Sequence, residues 1–230
     1  MKNFVYLEKN LSCIQSCISK LERKYQRHIT LVCVTKSGDD EELLELARLG
    51  AIHIGENRPG ELVRRGGLLR AEGYSPILHQ IGHLQRNKVK LVAGACSLIH
   101  SLDSIALAEE LNKQARKLGI RIGALIEINS AREASKGGID PSLAEEFFLK
   151  VREFDCIDIR GIMTMGPILE DKEGLRPYFR MTKEIFDKIN AQYGFIGEPI
   201  LSMGMSESYE IAIEEGANLV RIGRKLFEKG

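Results

Sequence analysis

Residues 30–55 read TLVCVTKSGDDEELLELARLGAIHIG. The first six, apolar or β-branched, predict a buried strand over 30–35. Lys36 follows at its tip, ahead of Ser37, Gly38 and two acids. DDEELLELARLG then carries apolar residues at helical spacing, and AIHIG (51–55) returns to strand character. Strand, helix and strand in this order form one βαβ unit, whose crossover places the two strands parallel.

The same alternation runs through the rest of the chain. Six further strands are predicted: ILHQIG (77–82), SLIHSL (97–102), IGALIEIN (122–129), IDIRGIMTM (157–165), PILSMG (199–204) and NLVRIG (218–223). A helix such as DSIALAEELNKQARKLG, with an Asp or Ser cap at its start and Lys117 and Gly119 at its end, links two of them. Eight such units close a barrel, so the expected fold is a TIM-type (β/α)8 barrel. A doubly wound open sheet is the alternative. Ahead of the first strand, Leu7, Leu11, Ile14, Ile18 and Leu21 fall at alternating steps of four and three, which adds an N-terminal amphipathic helix. With no Pro-, Gly- or Ser-rich linker and no fixed repeat, a single domain over 1–230 accounts for the chain.

Bulk composition narrows the function. Apolar residues make up 43% and charged residues 28%, and 33 basic against 32 acidic side chains leave a net charge of +1. That balance gives no reason to expect a nucleic-acid or membrane partner. No apolar run reaches spanning length, and MKNFVYLEKN lacks an apolar signal core, so a cytoplasmic protein is expected. Five cysteines without a CxxC pair argue against a disulfide scaffold. Cys13 and Cys17, one helical turn apart with no His nearby, are read as core packing rather than as metal ligands. No metal site is expected.

In a barrel of this class the site forms at the C-terminal ends of the strands. Those ends bring Lys36, then Asn57 of GEN, His79 ahead of GHLQRNK, His100 and Ser101, Asn129, Met163 and Met165, Ser202 and Arg221 toward one rim. After the seventh and eighth strands, SMGMSES and RIGRK supply Gly204, Ser206 and Gly223, where barrels of this class commonly hold phosphate. Either glycine alone reads as a strain-relieving turn; the pair favours phosphate. A strand-end lysine facing a phosphate site suits a phosphorylated aldehyde, because a partly deprotonated amine attacks carbonyls. Pyridoxal phosphate and the sugar phosphate of a class I aldolase both fit.

The motifs VTK (34–36), GEN (55–57), IGHLQRNK (81–88), EINSAREASKGGI (127–139), RGIMTM (160–165), SMGMS (202–206) and VRIG (220–223) occur in one order. Together they resemble the YggS/PROSC-type pyridoxal phosphate homeostasis proteins, which are similar to the N-terminal barrel of alanine racemases. The resemblance covers essentially the whole chain. It implies that Lys36 holds pyridoxal 5'-phosphate as a Schiff base, that Ser206 and Gly223 lie at the phosphate with Ser202 nearby, and that Arg221 faces the pyridine nitrogen. Asn57, His79 and Asn129 are expected to line the same cavity. A guanidinium has donors only, so it disfavours a protonated ring and weakens the electron sink that carbanion chemistry needs. The chain departs from the family pattern at Arg58 in place of Tyr, Ser208 in place of an acid, Arg224 in place of a small hydroxyl residue, and Ala217–Asn218 in place of Ser–Thr. These changes are expected to gather at the phosphate end.

The resulting expectation is a monomeric cofactor carrier or buffer for intracellular pyridoxal phosphate homeostasis, in transient contact with pyridoxal phosphate-dependent apoenzymes, with no catalytic residue assigned. An amino-acid racemase on the same scaffold is the first alternative. It is disfavoured because the chain ends just after its eighth unit and none of the six tyrosines sits at a strand's C-terminal end. The second alternative is a class I aldolase, disfavoured by a lysine on the first strand.

Overall fold

The computed structural model describes residues 4–133 and 136–229; Ala134 and Ser135, within EINSAREASKGGI, lie outside the described residues. Eight strands are present: β1 Thr30–Val34, β2 His53–Glu56, β3 Ile77–Gln80, β4 Leu98–Leu102, β5 Ile122–Ile128, β6 Ile157–Thr164, β7 Ile200–Ser202 and β8 Leu219–Ile222. They pair in sequence order, all parallel, and β8 returns to β1 to close the barrel. That closing pair, with Val32 opposite Arg221, excludes the open sheet.

The helices are α1 Val5–Tyr25, α2 Asp40–Arg48, α3 Pro59–Ala71, α4 Val89–Val92, α5 Ile105–Leu118, α6 Ala144–Val151, α7 Arg176–Tyr193, α8 Tyr209–Glu214 and α9 Arg224–Phe227. α2 starts where it does because of a reciprocal cap. Asp39 accepts from the Glu42 N–H at 2.9 Å, and Glu42 accepts from the Asp39 N–H at 2.7 Å. Ser104 caps α5 by accepting from the Leu107 N–H, and Gly119 ends it at φ 64°, as its start and stop residues predict.

α1 buries Leu7, Leu11, Ile14 and Ile18 against the barrel's helical layer, beside α8 and α9. Cys13 corrects its sequence reading. It is exposed, because its direction on the helix lies off the 7–11–14–18 stripe, and only Cys17 packs against the core. Among the described residues no group of three or more His, Cys, Asp or Glu could hold a metal ion, and no helix is long and apolar enough to cross a membrane.

Strand alternation divides the core in two. Outward-facing Cys33, Ile54, Leu78, Ile99, Ile126, Ile162, Leu201 and Val220 are buried beneath the helices. Inside the barrel, Val32, Leu98, Leu125, Met163 and Leu219 form a separate apolar cluster. Burying side chains of this size contributes about 1.5–3 kcal/mol each. The interior is otherwise polar for a packed barrel: His79, His100, Glu127, Ser202 and Arg221 are all buried there.

Candidate functional site

The loop that carries Lys36 is held from behind. Thr35 donates from its hydroxyl to Glu56 Oε1 at 2.6 Å, and Arg65 on α3 donates to the same oxygen at 2.7 Å. Arg65 also donates to the carbonyls of Thr35 and Gly38, on either side of Lys36. Glu56 and Arg65 are buried, and a buried pair of this kind holds geometry only while both partners remain. Lys36 itself is exposed, and no described residue forms a hydrogen bond or ion pair with it.

Lys36 opens into a cavity of about 750 Å³ at the C-terminal ends of the strands, within the usual size of small-molecule sites. Asn57, Ser206, Arg221 and Gly223 share this cavity with it. Asn57 is held by Gly82: a Cβ there would lie 2.5 Å from the Asn57 carbonyl oxygen, so only glycine permits the approach. Gln80 adds a hydrogen bond to the same carbonyl at 3.0 Å. In the loop after β7, Gly204 adopts φ 87°, and a side chain there would strike Ala212 and Tyr209. The chain then turns so that the Ser206 hydroxyl accepts from the Lys225 N–H at 3.2 Å, leaving its own proton to donate. Gly223 is glycine chiefly for packing, since a Cβ would lie 3.0 Å from the Val34 carbonyl oxygen.

Arg221 forms the floor. It is buried, donating from Nη1 to Ser202 Oγ and from Nη2 to the Thr164 carbonyl at 3.0 Å. Burial lowers its pKa to about 10 against the opposing pull of Glu127, which leaves it cationic at neutral pH. Glu127, also on the cavity wall, is the residue the sequence reading passed over in favour of Asn129. Burial pushes its carboxyl up to about 7; the charge of Asp103 adds to the rise, while Arg221 and His83 oppose it. Its signal was parity: on β5 the inward positions are 125 and 127, and Asn129 is already past the strand.

Three expected positions are therefore corrected. Asn129 turns back to its own loop, donating to the Glu133 carbonyl at 2.9 Å, and lines a small neighbouring pocket with Glu127 and Lys136. His79 is buried inside the barrel below the rim and faces the opposite mouth, where it lines a second cavity with His53. Ser202 is fully buried under Arg221 rather than beside Ser206.

The donor set in the large cavity suits a phosphorylated pyridine aldehyde: a free amine, a hydroxyl donor and a guanidinium that offers protons to a ring nitrogen. The alanine racemase N-terminal domain model matches residues 9–228. The pyridoxal phosphate homeostasis protein of Aquifex aeolicus is 41% identical over 197 residues, covering 86% of this chain and 85% of that relative. The chain belongs to the pyridoxal phosphate homeostasis protein family. A crystal structure of an unknown protein from Bifidobacterium adolescentis matches with a TM-score of 0.89 at 33% identity, covering 96% of this chain and 94% of that one. PipY of Synechococcus elongatus, with PLP bound, matches with a TM-score of 0.84 at 26% identity, over 96% and 100% of the two chains.

Against the pattern usual in pyridoxal phosphate homeostasis proteins, the departures do not gather in one place. Arg224 lines the large cavity, and Arg58 lines a smaller one that also reaches Lys36. Ser208 accepts from the Met205 N–H at 3.2 Å, a service an acid also performs, and so fixes the loop before Ser206. Ala217 and Asn218 lie at the other end of the barrel, where Asn218 bridges the Leu201 N–H and the Pro199 carbonyl.

Proposed function

We propose that this chain binds pyridoxal 5'-phosphate through Lys36 and serves intracellular pyridoxal phosphate homeostasis as a carrier or buffer. The observation that supports this reading is the sharing of one cavity by an exposed amine without a partner among the described residues, a buried cationic guanidinium and a hydroxyl donor. The Lys36 amine would hold the aldehyde end of the group, linking to it reversibly with loss of water. When bound, the group supplies a reversible covalent link and a conjugated ring that absorbs visible light.

The chain's own residues divide the remaining work. Ser206 and the Gly223 backbone hold the phosphate, and Arg224 adds a second cation at that wall. Asn57 and the Arg65-braced loop orient the amine. Arg221 would donate to the ring nitrogen, keeping that nitrogen unprotonated and the site slow in carbanion chemistry. A monomer acting in the cytoplasm, folded as one domain and meeting apoenzymes transiently, completes the reading.

The test is spectroscopic. Purified protein mixed with pyridoxal phosphate is expected to show a visible band, and borohydride should then fix the ligand to Lys36 as a secondary amine seen by peptide mass analysis. A modified lysine elsewhere, or none, would reject the assignment.

A further inference from the structure

A file of imidazoles crosses the barrel interior beneath Arg221. His53 Nδ1 lies 3.0 Å from His79 Nε2, His79 Nδ1 lies 2.9 Å from His100 Nε2, and His100 Nδ1 lies 3.1 Å from Ser202 Oγ. Ser202 Oγ in turn receives Nη1 of Arg221. His79 and His100 are buried, and His53 is half-buried at the far mouth. There a cavity of about 220 Å³ is lined by His28, His53, Arg160, Glu198 and Asn218. Side chains from β2, β3, β4, β7 and β8 thus form one connected line from the floor of the large cavity to the opposite end of the molecule.

The polarity of this line follows from its upper end. A guanidinium only donates, so the Ser202 oxygen must accept from Arg221. Among the described residues Ser202 Oγ has one other partner, His100 Nδ1, so the hydroxyl proton points there. His100 Nδ1 is then an acceptor, and the neutral ring carries its proton on Nε2. The same step repeats at His79 and at His53. A protonated ring would present two donors and break the file, and burial in fact holds His79 down to about 3 and His100 well below the usual imidazole range.

We propose that His53, His79, His100 and Ser202 form a polarised hydrogen-bonded wire, every imidazole proton on Nε2, that positions Arg221 and links the cavity floor to the far mouth. The file points one way: the Ser202 hydroxyl proton toward His100 Nδ1, the Nε2 proton of His100 toward His79 Nδ1, and that of His79 toward His53 Nδ1. An added proton has no place within this order except on His53, at the far mouth. The charged and titratable groups it meets there are His28, Arg160 and Glu198, with His79 behind it; His79 faces the two other imidazoles and lines the same far cavity, and His100 faces His79 and Arg221. These are positioning residues for Arg221, and none of them touches the proposed ligand site.

The test uses ligand-free protein labelled with ¹⁵N-histidine, so its outcome is independent of the cofactor reading. Long-range ¹H–¹⁵N spectra between pH 8 and 6 are expected to show His79 and His100 neutral with the proton on Nε2 throughout, and titration within the file beginning at His53. His53→Asn, which keeps an acceptor where Nδ1 stood, should leave the tautomers of His79 and His100 unchanged and remove that titration. Ser202→Ala should release the lock and give mixed tautomers at His100. A proton on Nδ1 of His79 or His100 in the wild-type protein overturns the proposal, and that spectrum decides the matter even if the Ser202 variant does not fold. An unchanged His100 tautomer in folded Ser202→Ala also overturns it. If the wire stands while borohydride fixes nothing on Lys36, only the cofactor reading fails.

Discussion

Arg65 Nη1 and Glu56 Oε1 meet at 2.7 Å directly behind the loop of Lys36, both side chains buried. The pair is the brace of the proposed site rather than part of its lining. Removing one partner strands the other charge in a low-dielectric setting, at a cost of about 3–5 kcal/mol. Arg65→Ala is therefore expected to lower the denaturant midpoint strongly and to weaken ligand capture at subsaturating pyridoxal phosphate, with capture restored near saturation. A variant as stable as the parent would contradict the brace.

Lys36→Ala should behave in the opposite manner. The side chain is exposed and has no partner among the described residues, so its loss changes stability by less than about 0.5 kcal/mol. The borohydride-fixed adduct should vanish while the thermal midpoint stays put. Mass analysis and a melting curve on one preparation check both halves.

Phosphate should carry much of the affinity. Charge-assisted hydrogen bonds contribute about 1.5–3 kcal/mol each, so two of them separate pyridoxal phosphate from pyridoxal by at least about a hundredfold in Kd. Ser206→Ala removes one donor and is expected to cost roughly tenfold. Parallel fluorescence or absorbance titrations compare the two aldehydes; equal affinities would contradict the phosphate assignment.

Glu127 gives stability a defined pH dependence. Its folded-state carboxyl titrates at about 7 against an ordinary value of 4.5, so the unfolded chain releases this proton first. The group's contribution is full below pH 4.5, falls as pH rises and is lost above 7, a change of about 3 kcal/mol. Glu127→Gln should flatten this part of the profile, melting higher than the parent at pH 8 relative to pH 5. Matching profiles for the two proteins would exclude a buried, protonated carboxyl.

Racemisation of alanine should be negligible. Two-face proton transfer needs an acid–base group opposite the lysine, and none of the six tyrosines lines the cavity; Tyr209, the nearest in sequence to a site loop, is buried in α8. A missing positioned acid or base costs on the order of 10²–10⁴ in rate. Rapid formation of D-alanine that disappears with Lys36→Ala would restore the racemase alternative.

The barrel was legible because each βαβ unit has its own periodicity and caps, and the unit count suggested closure. The cavity lining was legible at and just past the strand ends, as at Lys36, Asn57, Ser206 and Gly223, and at Arg221 near the end of β8. Within strands, depth and parity decide, and neither is visible without the exact register. His79 has the right parity but lies too deep, and Asn129 lies one residue beyond the strand's end, where its amide satisfies its own loop. Glu56 and Arg65 were missed because their pairing spans a helix turn and a strand end, with no local pattern to mark it. The polar file beneath Arg221 joins five strands, and no single segment contains more than one of its members.

Lys36 lies just past the first strand and Arg221 on the last, either side of the β1–β8 pair that closes the barrel. The contacts across this junction join the most distant parts of the chain, including Asn10 of α1 with the carbonyls of Leu226 and Glu228. Such contacts carry the largest loop-closure cost. A ligand that gripped both Lys36 and Arg221 would act as a clasp across the seam between the two ends of the chain, stabilising only the closed ring.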